Sequence, residues 1–557
     1  MLITLGIFIF LNVLSSFINK RIDLTKEGRF TLTQATKDLL RETDDLVTVQ
    51  VYLDGEMPAG IKRLRNATND MLDEFRAYTG NKLQYRFSNP LEGVEGNEAK
   101  RNVLEELAKK GISPQRFRIQ DGEGFEEKVF LPGALVIYKG REYPVNLLEA
   151  LGAEGSQNSI NNSVALLEYK LANAMQKLRR NRKPRIGFLK GHGELDTMQL
   201  ADAAASLAPY YVLSELNLDD FTVSPDEYDL IIAAKPTQPF SEKDIFKLDQ
   251  FVTHGGKMFW LLENLAADID SLQNRPYYIP TPFNLGLDEL LFKYGVRVNE
   301  SLLQDLQSNP IPLVVGVDAL GNANQQSLFP WLYHPVFTNA NKEHPITKNL
   351  GPVAGEFVAT IDTIKQAEVN KTILLTSSQY AKVFYPPIKI ELEQARQQPN
   401  PEQFRKSFQP VAVALEGNFG SIFTNRMNVQ MMEIIDGFKD WDFKEKSEQN
   451  KMLVVSDGDM IHNDYDRRNR RPLPLGFNRF NKKTFSNKDF VLNGVEWLLD
   501  NSGIIVARNK DVTLRLLDVE RIKKEKTFWQ TINVVLPLVF VLLFGLIYGF
   551  IRKRRFT

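Results

Sequence analysis

The longest apolar stretches of the chain lie at its two ends. Residues 1–18 and 531–551 carry almost only apolar side chains, and basic residues border both stretches. Each has about the 17–25 residues that a helix needs to cross the hydrocarbon core of a bilayer. The pattern predicts two transmembrane helices, with both termini on one side of the membrane and the rest of the chain on the other. The bordering basic residues are Lys20, Arg21, Arg552, Lys553, Arg554 and Arg555.

The first stretch could alternatively be a cleaved signal peptide. A signal peptide begins with a basic segment and ends at a small-residue cleavage site, and neither is present here. We therefore interpret it as a membrane span, and we expect that residues upstream of Met1 are missing. Lys and Arg stand on both sides of the second span, so their count does not determine its orientation.

Short strands and amphipathic helices alternate after the first span. Residues 47–53 alternate between two faces as a strand does, and residues 61–78 carry apolar side chains at helical spacing. The order of elements predicts a compact α/β domain over residues 45–148 that resembles thioredoxin-like folds. The chain contains no cysteine, so Cys-x-x-Cys redox chemistry is excluded.

A second α/β unit follows a polar, turn-rich segment at residues 152–163. Strands predicted at 185–189, 211–217 and 228–233 alternate with helices, which is typical of a doubly wound parallel sheet. The pattern is irregular over residues 264–450, and we interpret this part as an insertion that decorates the sheet.

These patterns predict seven segments along the chain. They are a transmembrane helix at 1–19, an N-terminal α/β domain at 20–150, a linker and helix at 151–182, a doubly wound α/β domain at 183–515 with its insertion at about 264–450, a stalk helix at 516–530, a transmembrane helix at 531–551, and a basic tail at 552–557.

Composition excludes several classes of function. The 557 residues include 69 Lys and Arg against 69 Asp and Glu, so the chain has no overall basic charge with which to bind nucleic acid. Without cysteine there is no thiolate zinc site, Fe–S cluster or cysteine nucleophile. The P-loop, the H-E-x-x-H motif and the G-x-S-x-G elbow are also missing. We therefore expect that this chain is not an enzyme and carries no catalytic, cofactor or metal site.

Two polar loops follow predicted strands of the second unit. His192 and Glu194 lie in a glycine-rich turn after the strand at 185–189, and Asp457, Asp459 and His462 follow another strand at 451–455. Ligands of such sheets bind at the carboxyl ends of the strands, so the two loops could face one crevice and hold a metal or polarise a substrate. The alternative is that both are ordinary turns whose polar side chains are satisfied locally.

A basic stretch lies at residues 467–471. It could contact a partner or lipid, or could form a solvated face.

Several features together resemble a known family. The sequence Arg21-x-Asp-Leu-Thr-x-Glu-x-Arg-Phe-Thr-Leu-Thr after the first span, the strand at 47–53, the Gly191-His-Gly-Glu194 turn and the terminal span are similar to the GldG family, the gliding-motility-associated auxiliary components of Bacteroidota ABC transporters. The second unit also resembles the class I glutamine-amidotransferase-like fold, whose cysteine nucleophile this chain lacks. The latter resemblance therefore implies a scaffold used for binding.

The GldG resemblance implies a non-enzymatic auxiliary subunit in the bacterial inner membrane, with a large periplasmic body. Its implied partners are a GldF-like permease and, through it, a GldA-like ATPase that binds the ATP, with membrane lipid and a second copy of the chain as further partners. The implied role is support of gliding motility and the associated secretion. The alternative is a membrane-tethered binding protein or hydrolase for a glycan, lipid or peptide.

Overall fold

The computed structural model describes residues 31–121, 124–149, 156–180, 182–219, 227–272, 275–317, 323–437, 442–466, 468–469, 471–509 and 519–556. The predicted span at 1–19, together with Lys20 and Arg21, lies outside these residues.

The N-terminal region is a small mixed sheet covered by helices. The strand order β2-β1-β5-β6 contains one parallel pair, β1 with β2, and β3 and β4 form a separate hairpin. Helix α2 buries Ile61, Leu64, Leu72 and Phe75, which recur at the spacing of one helical face. The elements are α1 (Gln34–Arg41), β1 (Val47–Val51), α2 (Ala59–Tyr78), β2 (Leu83–Phe87), α3 (Asn97–Lys109), β3 (Gln115–Asp121), β4 (Gly124–Phe130), β5 (Gly133–Tyr138) and β6 (Arg141–Asn146).

Two helices connect this region to the second α/β unit: α4 (Ser156–Ala165) and α5 (Leu167–Arg179). The polar composition of residues 152–163 predicts a linker, but most of this segment is helical. Ile160 is 3% exposed, and its side chain occupies the space that Gly60 of α2 leaves by lacking a Cβ. The tertiary contact therefore outweighs the weak helical propensity of the segment.

The second unit is built on an eight-stranded sheet of order β15-β18-β20-β21-β10-β9-β7-β8. Its strands and those near it are β7 (Arg185–Lys190), β8 (Val212–Asn217), β9 (Leu230–Ala234), β10 (Lys257–Leu261), β11 (Val296–Val298), β12 (Leu302–Asp305), β13 (Ser308–Val317), β14 (Ala323–Phe337), β15 (Asn339–Ala340), β16 (Val353–Ala354), β17 (Ile361–Thr363), β18 (Val369–Thr376), β19 (Ala381–Phe384), β20 (Pro410–Gly420), β21 (Lys446–Val455), β22 (Tyr465–Asp466), β23 (Arg471–Pro472), β24 (Phe477–Asn478) and β25 (Lys483–Thr484). Its helices are α6 (Ala201–Leu207), α7 (Glu242–Thr253), α8 (Asp288–Tyr294), α9 (Val429–Gly437) and α10 (Asn487–Leu499).

The central strands are buried on both faces. Phe259 and Leu261 of β10 belong to one hydrophobic core, and Met258 and Trp260 belong to another on the opposite face. Strands β8, β7, β9, β10 and β21 are parallel to one another. This agrees with the continuous apolar runs that predict a parallel sheet.

The segment at 264–450 does more than decorate this sheet. It supplies β15, β18 and β20, which extend the sheet beyond β21 in antiparallel pairing, so the sheet is mixed and not wholly parallel. Strand β20 covers the backbone edge of β21, which would otherwise present unpaired N–H and C=O groups. Further along the same segment, Trp331, Tyr333 and Phe357 form part of a smaller core of their own.

A buried ion pair links α5 to α10. Lys177 Nζ lies 2.6 Å from Glu496 Oε1 and donates to the Tyr143 hydroxyl at 2.9 Å. Asn173 donates to the same carboxylate at 3.1 Å, and the Tyr169 hydroxyl donates to its second oxygen. We call these five residues the Lys177–Glu496 network. Burial raises the pKa of Glu496 and lowers the pKa of Lys177, and the attraction between the two groups opposes both shifts.

Residues 511–557 form a separate unit, in which the described part is one helix, α11 (Val519–Phe556). Among the described residues, the segment Lys524–Arg555 is the one helix long and apolar enough to cross a membrane. From Val519 onward, the predicted stalk and span are one continuous helix that runs through Pro537. Membrane helices tolerate proline in their interior. Arg552, Lys553, Arg554 and Arg555 are exposed near its end.

Candidate functional site: a polar cavity at the strand ends

A cavity of about 330 Å³ lies beside the carboxyl end of β21. We call it the strand-end cavity. Asp457 and Asp459 line it directly after β21, and residues of the 264–450 segment line another part of it. Its lining includes the carboxylates Asp268, Asp270, Glu356, Asp457, Asp459 and Asp464.

The Asp457-Gly-Asp459 sequence explains the local shape of the loop. Asp457 caps a short 3₁₀ helix (Gly458–Ile461), and its carboxylate accepts from the backbone N–H of Asp459 at 2.9 Å and of Glu356 at 3.1 Å. A Cβ at Gly458 would lie 2.6 Å from Cγ of Lys235. Glycine at this position therefore lets the Lys235 side chain pass close to the loop.

Lys235, the residue after β9, holds two acidic side chains. Its Nζ lies 2.5 Å from Asp459 Oδ2 and 2.9 Å from Glu263 Oε2. Burial by itself lowers the pKa of Lys235, but the two carboxylates outweigh it and raise the pKa above its usual range. Lys235 is therefore a fixed positive charge at this sheet edge.

Among the lining residues that the structure describes, acidic side chains outnumber basic ones. Burial, followed by the negative charge of Asp459, raises the pKa of Asp457 to about 8. Crowding by protein atoms and the carboxylates of Asp459 and Asp457 raise the pKa of Glu356 to about 8. Glu356 is exposed to solvent, which limits the contribution of burial to this shift. Burial also raises the pKa of Glu263 well above its usual range.

His334 lines the same cavity and is neutral at physiological pH. It is 6% exposed, and burial lowers its pKa to about 4. Its Nε2 has no hydrogen-bond partner among the residues that the structure describes. A buried ring nitrogen normally donates or accepts a hydrogen bond, so Nε2 of His334 has an unused hydrogen-bonding capacity.

His192 and Glu194 lie outside the lining of this cavity. The His192 ring stacks on Phe240 with 3.9 Å between ring centroids, and it lies 3.4 Å from Glu194 and 3.5 Å from Asp244. Burial opposes protonation, but these two carboxylates raise the pKa of His192. His192 and Glu194 therefore pack against Phe240 and Asp244 and not against the cavity, and His192 Nδ1 and Glu194 Oε1 have no hydrogen-bond partner among the described residues.

The structure thus brings together three of the five predicted polar residues, Asp457, Asp459 and His462. Sequence reasoning missed Lys235, Glu263, Glu356 and His334. Lys235 and Glu263 could have been found, because each closely follows a predicted parallel strand. Glu356 and His334 come from the irregular segment and had no such signal.

The cavity can retain protons at neutral pH and offers many hydrogen-bond acceptors. Within the described part of the chain, no group of three His, Asp or Glu residues is arranged to hold a metal ion. The chemistry available is therefore binding of a polar or positively charged ligand, with carboxyl groups that can exchange protons.

Residues 183–494, more than half of the chain, match the family model described as "ABC-type uncharacterized transport system". The chain therefore belongs to this family of auxiliary proteins of ABC transport systems. Residues 26–137 match a second model, a domain of unknown function.

An uncharacterized protein of Borreliella burgdorferi is 22% identical over 572 aligned residues, which cover 99% of this chain and 97% of that protein. Similar solved structures include the mmIFT52 N-terminal domain (13% identity, TM-score 0.32, covering 59% of this chain and all of that one). Another is a ThuA-like protein from Parabacteroides merdae (10% identity, TM-score 0.26, covering 60% of this chain and 94% of that one). These structural similarities are too slight to support an argument.

Proposed function

We propose that the protein is a non-enzymatic, membrane-anchored auxiliary subunit of an ABC transporter complex. The observation that carries the proposal is the family match over residues 183–494. The apolar, exposed helix α11 supports membrane anchorage. The lack of a P-loop supports placing ATP on a partner ATPase, with no cofactor on this chain.

More specifically, we propose that the protein is a GldG-like subunit. It would work with a GldF-like permease and a GldA-like ATPase in gliding motility and the associated secretion. It includes two spans in the bacterial inner membrane and a periplasmic body. The full-length pattern of two apolar ends around an α/β body supports this form.

We also propose a thioredoxin-like N-terminal domain and an amidotransferase-like second domain used for binding. Support for the first is the parallel β1–β2 pair extended by antiparallel β5 and β6. Support for the second is the parallel sheet from β8 to β21 with a polar cavity at its carboxyl edge. Without cysteine, neither domain can use a thiol nucleophile.

Co-purification tests the transporter role. The tagged full-length chain, extracted in mild detergent from its native membrane, is expected to bring a permease and an ATPase with it, identified by mass spectrometry. A variant that ends at residue 518 lacks α11 and should lose both, while Glu300→Gln, an exposed change on the body, should retain them. Recovery of the full-length chain without either subunit would contradict the proposal.

A second candidate is a membrane-tethered binding protein or hydrolase for a glycan, lipid or peptide. The strand-end cavity, with its excess of carboxylates, favours it. A glycan, lipid or peptide found on the purified protein by native mass spectrometry, and lost in Asp459→Asn, would support this candidate over a purely structural subunit.

A further inference from the structure

We propose that the strand-end cavity binds a small organic cation that carries an ammonium or guanidinium group. This inference goes beyond the transporter role and does not rest on it. It rests on the charge inside the cavity, on a buried nitrogen without a partner, and on the arrangement of the carboxylates.

The first argument is the balance of charge. Six carboxylates line the cavity, whereas Arg479 is the one Lys or Arg among its lining residues that the structure describes. Arg479 Nε lies 3.9 Å from Asp464, and Lys235 is already engaged by Asp459 and Glu263. The described arginines of the nearby basic loop, Arg468 and Arg471, are exposed and do not line the cavity.

Two of the carboxyl groups have no cation of their own. Asp457 accepts hydrogen bonds from two backbone N–H groups, and no described Lys or Arg forms an ion pair with it. Glu356 has no ion pair or side-chain hydrogen bond within the described part of the chain and faces the open volume. The raised pKa values of both groups are consistent with the lack of a neighbouring cation. A positive charge placed between them would favour their ionised forms, so binding of a cation is coupled to release of their protons.

His334 points to a ligand independently of the carboxylates. Its ring lines the cavity, it is buried and neutral, and its Nε2 has no partner among the described residues. In the tautomer that carries its proton on Nδ1, Nε2 accepts a hydrogen bond. An ammonium or guanidinium group carries several N–H donors, so it could satisfy His334 and a carboxylate together.

Other classes of ligand fit less well. An anion would be repelled by the carboxylates, and the described side chains lack three metal-ligating groups arranged around one point. A neutral polyol would not favour ionisation of the carboxyl groups. Tyr465, Phe477 and Phe480 also line the cavity and supply apolar surface beside the carboxyl groups. The volume of about 330 Å³ lies at the lower end of small-molecule sites.

Calorimetry on the purified full-length chain in detergent tests the proposal, with 1,4-diaminobutane as the probe and 1,4-butanediol as its neutral match. The diamine is expected to bind with a Kd below about 1 mM, equivalent to roughly 4 kcal/mol, and the diol should not bind. Glu356→Gln should weaken diamine binding about tenfold or more, because it removes the carboxyl group that faces the open volume and that ionises when a cation binds. The matched control Glu300→Gln, at an exposed residue outside the lining, should stay within about twofold of the unmodified chain, or roughly 0.4 kcal/mol.

Three results would overturn the proposal: no diamine binding by folded protein, equal binding of the diol, or calcium chloride binding that the diamine does not displace. If Glu356→Gln fails to fold by circular dichroism, Asp464→Asn carries the same expectation. Co-purification of the permease with Glu356→Gln separates the two proposals, since loss of diamine binding should leave the transporter complex intact.

Discussion

The Lys177–Glu496 network and the strand-end cavity both hold charged side chains out of bulk water, yet they are arranged in opposite ways. In the network, the one carboxylate receives a lysine, an asparagine and a tyrosine, and no large volume is left between them. In the cavity, six carboxylates surround an open volume of about 330 Å³.

This difference separates a structural role from a binding role. A buried charge is costly unless it is paired and hydrogen-bonded. The network meets that condition within the protein and joins α5 to α10. In the cavity, Asp457 is buried without a cation among the described residues and retains a proton, whereas Glu356 faces solvent. Both carboxyl groups are therefore available to a ligand. The comparison predicts that removing charge harms the first region and spares the stability of the second.

The largest effect is expected in the network. Glu496→Gln leaves Lys177 buried without its counter-charge, which should lower the free energy of unfolding by about 3–5 kcal/mol. Guanidinium unfolding of the full-length chain measures it. The control is the double change Lys177→Met with Glu496→Leu, which removes both charges and should cost less than the single change. A loss below about 1 kcal/mol in Glu496→Gln would mean that the pair is not the structural link inferred here.

An intermediate loss of stability is expected at the His192 loop. This loop lies at the same edge of the sheet as the strand-end cavity but does not line it. Gly193 has φ +75°, and an added Cβ would overlap Oγ1 of Thr237. Gly193→Ala should therefore destabilise the protein by about 1–3 kcal/mol. Gly140→Ala, at φ +74° with no atom within 4 Å of the added Cβ, isolates the backbone strain and should cost less.

Diaminobutane binding is expected to be unchanged in Gly193→Ala, because the His192 loop does not line the strand-end cavity. Loss of binding in this variant, with the fold retained, would show that the two loops share one site after all.

The smallest effect concerns pH. The pKa of Glu356 in the folded protein, about 8, lies above its ordinary value of 4.5, so the folded state retains a proton that the unfolded state loses. This stabilisation is complete below about pH 4.5 and is lost as pH rises through about 8. The negative groups that act on Glu356 are Asp457, Asp459 and Asp464, and Lys235 acts with positive charge.

Glu356→Gln removes this titration and should make the decline in thermal midpoint between pH 5 and pH 8 shallower. Differential scanning fluorimetry at the two pH values measures it, and Glu300→Gln should keep the original slope. An unchanged slope in Glu356→Gln would indicate that the carboxyl group is ordinary, and the cavity would then resemble a solvated surface.

Much of the fold follows from local patterns. The strand at 47–53, the helix at 61–78 and the strands at 185–189 and 228–233 match β1, α2, β7 and β9 closely. These elements have strong periodicity or continuous apolar runs, which depend only on near neighbours in the chain. Helix α4 and strand β20 were not anticipated, because the first depends on Gly60 and the second on the edge of β21.

The candidate site likewise combines residues that local sequence patterns predict with residues that only the fold brings there. Asp457, Asp459 and His462 were found because ligands of α/β sheets lie at strand ends. Glu356 and His334 are about 100 residues away in sequence and reach the cavity through the folding of the 264–450 segment. No local pattern marks a carboxylate as unpaired, since pairing depends on distances between distant segments.

The sequence by itself determined the apolar terminal helix, the alternation of strands and helices, and the exclusion of thiol chemistry, because hydropathy, periodicity and composition are properties of the chain. Only the tertiary structure decided that His192 packs against Phe240, that Lys177 and Glu496 pair, and that Glu356 faces an open acidic cavity. The physical reason is that burial and charge interaction depend on through-space distance, which the fold sets.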